Sequence, residues 1–558
     1  MSAGMAVALM LTISACGDNG HAGGDSDAAA YRAVVADVTG RTPVPTIQLL
    51  TKTAAEDPRW FEEARLIVES WQRAGIPAEL LAVRGSEVGR RAFTRKDFDA
   101  ALLVYGPMPD RLDPDNILSK FASARAGVSG WNLSGYRNAD YDALYQAQQL
   151  AMNEDERVAA VRKAQKLLYE HQPARPFAHP VVGGAYRSDR WDGVQHALGY
   201  PVFNIWNSIG ATPKTAKRTL VVGTISEPLT LNPVALESPA AQLLLSHIYD
   251  SLVRIGPEGE LRDWAAESVK VDGARVIAKL RPGMRFSDGH PVTAADVAFT
   301  VRYMIDKKSP LFAQKLAAVR DVRATGDSVE ITLAKPSPSF VPTVLTQLPI
   351  LPEHVWKKVA QPAKFSNDAP VGSGPFVLAG RKLGAEIRFT ANKEHFSAPK
   401  VDGLVMIVLG SLDAEVGGLA QGDLDMLGDV QGVAQLASVR GKSGITVVSD
   451  ESFGWAGLHY NMRKEPFDDR HFRRALSFLI PVRDIIDVVL DGQGKPAGSP
   501  IAASLTKWHD PSLQPFPYDM RAAMRELREA GYVFDRRGVL YFPATRDDKR
   551  LRDNNVPT

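Results

Sequence analysis

Phe98-Asp99-Ala100-Ala101-Leu102-Leu103-Val104-Tyr105 runs without a break into Gly106-Pro107-Met108-Pro109-Asp110-Arg111-Leu112-Asp113. The first segment is almost continuously apolar from Ala100 to Val104, the pattern of a strand buried on both faces of a sheet. The second is rich in Pro, Gly and Asp, which end a strand and turn the chain. Such a strand needs helices to cover it, and the neighbouring sequence supplies them. Upstream, Ile47-Gln48-Leu49-Leu50 and Ala78 to Val83 are strand candidates. Between them Phe61, Ala64, Val68 and Trp71 recur at helical spacing, with Gly75 where a C-cap is expected. Downstream, Asn153 and Glu156 have the form of a capping box opening a helix to about His171. Strands alternating with helices predict an α/β fold with a mainly parallel sheet.

Further along, Ala211-Thr212-Pro213-Lys214-Thr215-Ala216-Lys217-Arg218 is polar and aperiodic and reads as a linker. A strand follows at Leu220-Val221-Val222. Between roughly 260 and 365 the texture changes. Val329, Ile331 and Leu333 alternate after the turn Thr325-Gly326-Asp327, and Thr293 with Asp296 caps a helix containing Val297, Val301 and Met304. This stretch reads as a separate α+β unit. Strands and helices resume after Pro370, up to a polar tail at 546–558.

The 558 residues are enough for about three or four domain-sized units. An apolar fraction of 45% and a charged fraction of 23% are those of a globular chain that buries a good core. The net charge of +2 argues against a nucleic-acid binder, which carries a basic stripe. The one cysteine, Cys16, rules out an internal disulfide and a thiolate metal cluster. It ends an apolar run, Ala6 to Ile13, that is too short to cross a bilayer. No Lys or Arg precedes that run. Ile13-Ser14-Ala15-Cys16 resembles the bacterial lipobox, so 1–15 is expected to be a signal peptide, Cys16 the acylated residue, and 16–45 a Gly/Asp-rich tether. The alternative is a buried cysteine in a short N-terminal helix. No other stretch is apolar enough for a membrane-spanning helix.

Leu280-Arg281-Pro282-Gly283-Met284-Arg285-Phe286-Ser287-Asp288-Gly289-His290-Pro291-Val292-Thr293-Ala294-Ala295-Asp296-Val297 resembles the signature of the peptide/nickel-type bacterial extracellular solute-binding proteins, family 5. Several segments carry the same resemblance: His247-Ile248-Tyr249-Asp250-Ser251-Leu252-Val253, Val371-Gly372-Ser373-Gly374-Pro375-Phe376, Pro466-Phe467-Asp468-Asp469, Arg473-Arg474-Ala475-Leu476, Asp113-Pro114-Asp115-Asn116 and Ser129-Gly130-Trp131-Asn132. Leu479-Ile480-Pro481-Val482-Arg483 departs from the family's Ala-Ile-Asp-Arg. The order is exchanged: the family's first part lies here at 219–545 and its C-terminal part at 46–210. Each segment occurs once, so the order reads as a circular permutation joined through 211–218; the alternative is a gene rearrangement with a misfolded or truncated product. The triplet Val556-Pro557-Thr558 repeats Val44-Pro45-Thr46.

The resemblance implies a periplasmic-binding-protein-like fold of the class II, cluster C type, with two lobes, a hinge and a small inserted domain. Mapped here, lobe B takes 46–178 and 456–545. Lobe A takes 179–210, 219–255 and 366–455, and the insert is 256–365. Crossings near 179 and 455 would form the hinge. It implies a monomer that captures a peptide, an oligopeptide rather than a strict dipeptide, for the permease of an ABC importer, tethered to the membrane by its lipid. A nickel or metal-chelate binder and a non-transporting chaperone or scaffold lipoprotein are the alternatives. For ligand contacts it implies the loop Gly106, Met108 and Asp110, with Asp110 at the position that holds a peptide ammonium; the plainer reading of Asp110 is a turn residue. It also nominates Glu227, matched to a cleft glutamate and otherwise a solvated loop charge, and Lys52; Trp455, near the implied hinge, and Trp131 are candidate pocket walls whose plainer reading is core aromatics. Ala54 stands where dipeptide binders carry an arginine, and Lys52 lacks that residue's bidentate fork. Asp113 and Asp115 read as turn and capping residues.

Nothing in the chain marks an enzyme. There is no HExxH, GxSxG, Walker A or dinucleotide fingerprint, and Gly372-Ser373-Gly374-Pro375 reads as a structural turn. No cofactor, catalytic residue or metal ligand is nominated.

Overall fold

The computed structural model describes residues 37–545, apart from 109, 110, 128, 129, 226, 229, 237, 238, 430, 433 and 434. Asp110, Cys16, the leader and the polar tail lie outside the described residues.

The framework is a 13-stranded sheet with helices packed against it. Strand Ile47–Lys52 runs parallel to both Ala78–Val83 and Ala100–Tyr105. The helix Pro58–Arg73 covers them. Its N-cap Asp57 accepts from Trp60 N, Pro58 sits at its first position, and Gly75 beyond its end has φ +80°. Its apolar stripe, Ala64, Ile67, Val68 and Trp71, is buried. Helix Glu154–His171 begins at Asn153, which accepts from Glu156 N at 3.0 Å.

The expectation of a mainly parallel sheet is corrected. Strand Ala174–Arg187 pairs antiparallel with Trp455–Tyr460 through its first half and with Ile445–Glu451 through its second. These long neighbours join two half-sheets without helical crossovers, so most pairings near the centre are antiparallel. Parallel pairing returns beyond them, between Thr219–Thr224 and Gly403–Val408.

Residues far apart in sequence complete one core. Val44, Trp71, Leu458, Phe472, Met524 and Phe542 belong to the same buried cluster. Trp71 Nε1 donates to Leu476 O at 3.2 Å, Val44 N to Leu540 O at 2.8 Å and Phe542 N to Thr42 O at 2.9 Å. Each fully buried Leu or Phe in such a cluster contributes roughly 1.5–3 kcal/mol.

The stretch read as a separate α+β unit does carry its own four-stranded antiparallel sheet, ordered Ala266–Asp272, Arg275–Leu280, Ser328–Leu333 and Val319–Thr325. Helix Ala294–Asp306 packs on it behind a full Thr293/Asp296 capping box. Its core is continuous with that of the strands at 219–224 and 403–408. Among the described residues no helix is long and apolar enough to cross a membrane.

Candidate functional site: a cleft between two cores

Strand Ala100–Tyr105 ends opposite Trp455, in the register Tyr105↔Trp455. The two rings stack at 4.5 Å. Gly106 and Met108 follow at once, Gly106 exposed and Met108 partly so. Tyr200 OH donates to Met108 Sδ at 3.6 Å, which ties this loop to the segment around 200. Gly199 (φ +76°) permits the approach: a Cβ there would fall 2.3 Å from the Phe453 ring and 2.8 Å from Pro107.

Two cavities open beside this contact, and both are lined by Leu112, Leu198 and Ile255. The first, about 140 Å³, is walled mainly by apolar and aromatic groups including Tyr200, Trp206, Tyr249 and Phe453. Gln242 and Arg254 also line it. Gln242 Oε1 and Arg254 Nε are buried and have no hydrogen-bond partner among the described residues. Burial lowers the Arg254 guanidinium to about 10, with Asp250 opposing the shift. The second cavity, about 760 Å³, draws its walls from two separate cores. Leu112, Leu505 and Trp508 pack with the core of strand 100–105, whereas Val253, Val269 and Val341 belong to the core shared by the small sheet.

Charge in the second cavity is unbalanced. Asp113 and Arg157 form a buried two-pronged pair at 2.6 and 2.9 Å, and Asp113 also caps helix Pro114–Leu118. Glu154 pairs with Lys507 at 2.6 Å and Glu260 with Arg262 at 2.5 Å. Glu258 and Asp263 have no ion-pair partner among the described residues. The lining therefore carries surplus negative charge, suited to a cationic group. Asp115, beside Asp113, is raised by burial and accepts from Gln148 Nε2 at 2.7 Å.

Below the cleft the chain crosses between half-sheets twice, near 180 and between 451 and 455. The crossings touch: Ser452 N donates to Pro180 O at 2.9 Å. His179 lies buried between them, Nδ1 2.8 Å from Gly454 O and Nε2 3.1 Å from Ser499 O. Burial lowers it to about 4, so at neutral pH only one of those nitrogens carries a proton to donate.

The nominated residues divide. Gly106, Met108 and Trp455 stand together at the end of strand 100–105; Trp455 is buried, and Met108 reaches the cavity wall through Tyr200. Lys52 ends the neighbouring parallel strand, pairs with Asp57 at 3.2 Å and lies 3.9 Å over the Trp60 ring. Glu227 is held by Arg381 Nε at 2.6 Å and Gly384 N at 2.7 Å, with 8% of its side chain exposed. Trp131 is 51% exposed and meets Phe93 edge-on at 5.4 Å. None of the six, Gly106, Met108, Trp455, Lys52, Glu227 and Trp131, lines either cavity itself. Sequence reading missed Leu112, Leu198, Tyr200, Gln242, Arg254 and Phe453. Phe453 lies two residues from nominated Trp455, the nearest thing to a signal; Leu198 and Tyr200 sit in an aperiodic loop.

Among the described residues two serine–histidine pairs have an enzyme-like look, Ser208 Oγ to His247 Nε2 at 2.9 Å and Ser134 Oγ to His459 Nδ1 at 3.3 Å. Both are sealed in the core, and burial lowers His247 to about 4. Among the described residues no group of three metal-ligating side chains lies in the cleft.

The profile of the bacterial extracellular solute-binding proteins, family 5 Middle, matches residues 260–551. Protein XP55 of Streptomyces lividans is 33% identical over 323 residues, 57% of this chain and 58% of its own length. The oligopeptide-binding protein AppA of Bacillus subtilis is 27% identical over 325 residues, 56% of this chain and 59% of its own. The chain thus spans under two thirds of these relatives. Among solved structures, NikZ of Campylobacter jejuni in complex with Ni(L-His) aligns with a TM-score of 0.49 at 21% identity, covering 59% of this chain and 66% of that one.

Proposed function

The chain belongs to the bacterial extracellular solute-binding proteins of family 5, and from that premise we propose that it is the extracytoplasmic solute-binding component of an ABC importer, capturing a peptide-like solute by closing two lobes over it. The observation that carries the reading is the larger cavity, whose walls come from two separate cores. A guest touching both walls favours the closed form by its difference in affinity for the two forms. The paired crossings near 180 and 451–455 are the hinge, and the cleft lies beside them.

The linings suit a peptide. Glu258 and Asp263 complement an ammonium group. The rings of the smaller cavity suit apolar side chains. Asp110, two residues before Leu112, supplies the carboxylate for the α-ammonium. With Ala54 in place of an arginine, the ligand's carboxylate is not clamped, which favours an oligopeptide over a strict dipeptide. Lobe B is 46–178 with 456–545, lobe A is 179–210, 219–255 and 366–455, and 256–365 is the insert. The order is a circular permutation joined through 211–218. Cys16 carries the lipid anchor, and a membrane permease receives the closed form.

Titration of peptides against the melting temperature tests capture. Asp110→Ala is expected to weaken binding of a free-amine peptide roughly tenfold or more, while hardly changing that of its N-acetylated form. Equal loss for both removes Asp110 from the ammonium role. A response to nickel chelates but to no peptide replaces the peptide reading, and no response to any small solute favours a scaffold.

A further inference from the structure

Two segments of the small-sheet unit, far from each other in sequence, bring nitrogen and oxygen donors to one point on its surface. Asp288 Oδ2 lies 2.7 Å from His354 Nε2, and Asp288 Oδ1 lies 3.2 Å from His290 Nδ1. The imidazoles stack with centroids 4.0 Å apart and planes 23° from parallel. One donor atom from each of the three side chains falls within 4.8 Å of the other two. Donors around one Zn²⁺, at about 2.0–2.2 Å from the metal, stand roughly 3–3.5 Å from each other in a tetrahedral arrangement. Of the two His–Asp separations, the 3.2 Å one falls in that range and the 2.7 Å one just short of it.

Both segments are held by backbone anchors. Phe286 N donates to His290 O at 2.8 Å and Val292 N to Met284 O at 2.9 Å, closing a tight loop in which Gly289 takes φ +88°. His354 sits in the short helix Glu353–Trp356, whose Glu353 N donates to Asp296 Oδ1 at 2.9 Å. Asp296 is the residue that completes the capping box of helix Ala294–Asp306. The Phe286 ring meets the His354 ring edge-on at 5.8 Å, and Trp356 is buried. The nearby cation Arg285 is turned to Gly289 O at 2.9 Å. The second His/carboxylate group among the described residues, His471, Glu526 and Glu529, differs on this point: Arg474 occupies Glu526 Oε1 at 2.7 Å and competes with a cation.

We propose that Asp288, His290 and His354 form a surface site for a divalent ion of borderline softness such as Zn²⁺, with two imidazole nitrogens and one carboxylate oxygen as ligands and an open position toward solvent. Imidazole and carboxylate donors suit this class of ion, and a three-ligand set leaves room for water or an outside group. None of the three residues lines the cleft, so the proposal stands apart from solute capture.

Calorimetric titration of the full chain with Zn²⁺ tests it. The expected result is one saturable site that His290→Ala, His354→Ala and the near-isosteric Asp288→Asn each weaken by roughly tenfold or more, and that H290A/H354A abolishes. Metal-free melting should remain cooperative in every variant, so that lost Zn²⁺ binding is not lost folding. A signal from Cys16 or another histidine would persist in every variant. Zn²⁺ binding unchanged in H290A/H354A, or no Zn²⁺ uptake by the parent chain, overturns the proposal.

Discussion

His179, His247 and His459 are buried, and burial lowers them to about 4, about 4 and about 3. Each is neutral when folded and takes a proton when unfolded below about pH 6.5. Stability is therefore intact above that pH and lost as pH falls from about 6.5 toward 4, by about 1.4 kcal/mol per pH unit for each fully responding ring. Glu63 opposes this. Burial raises it to about 8, so the folded state keeps a proton that the unfolded state releases above about 4.5, and its effect improves as pH falls through that window. Asp115, Glu451 and Asp469, whose carboxyls burial also raises but less far, act in the same sense as Glu63 over the lower part of the range, and the three histidines outweigh these gains between about 6.5 and 4.5. The urea midpoint should drop from pH 7 to pH 5; a midpoint equal or higher at pH 5 contradicts this. None of these burials was legible in the sequence. Isolated histidines carry no periodicity, and their partners, such as Gly454 and Ser499 for His179, lie hundreds of residues away.

At the scale of elements, local signals were readable where they were strong. The helix at 58–73 and the strands at 47–52, 78–83 and 100–105 follow apolar spacing and turn residues that act over a few positions. Strand direction in the middle of the sheet was not readable, because it depends on which segment returns from the other half. The turn Val371-Gly372-Ser373-Gly374 shows why a glycine can be fixed by distant backbone. Gly374 N donates to Ile248 O at 2.8 Å, and Ser287 N to Gly372 O at 2.9 Å. A Cβ on Gly372 would fall 2.1 Å from Ile248 O. Gly372→Ala should cost about 1–3 kcal/mol in chemical denaturation, since backbone must shift to admit it. No loss would mean that this contact is looser than described.

At the scale of the molecule, the cleft was foreseen only through family resemblance. Spacing along a chain does not reveal that Leu112, Leu198 and Ile255 share a wall. The swapped order leads to its own expectation. If 46–210 and 219–545 are parts of one permuted fold, a rearranged chain with 219–545 placed before 46–210 should melt cooperatively and bind the same peptides. Separate melting of the two parts contradicts a permuted fold. Small-angle X-ray scattering of the full chain, with and without a saturating pool of free-amine oligopeptides, tests closure most directly. The radius of gyration should be smaller with peptide bound; binding that leaves it unchanged would contradict capture by closing lobes.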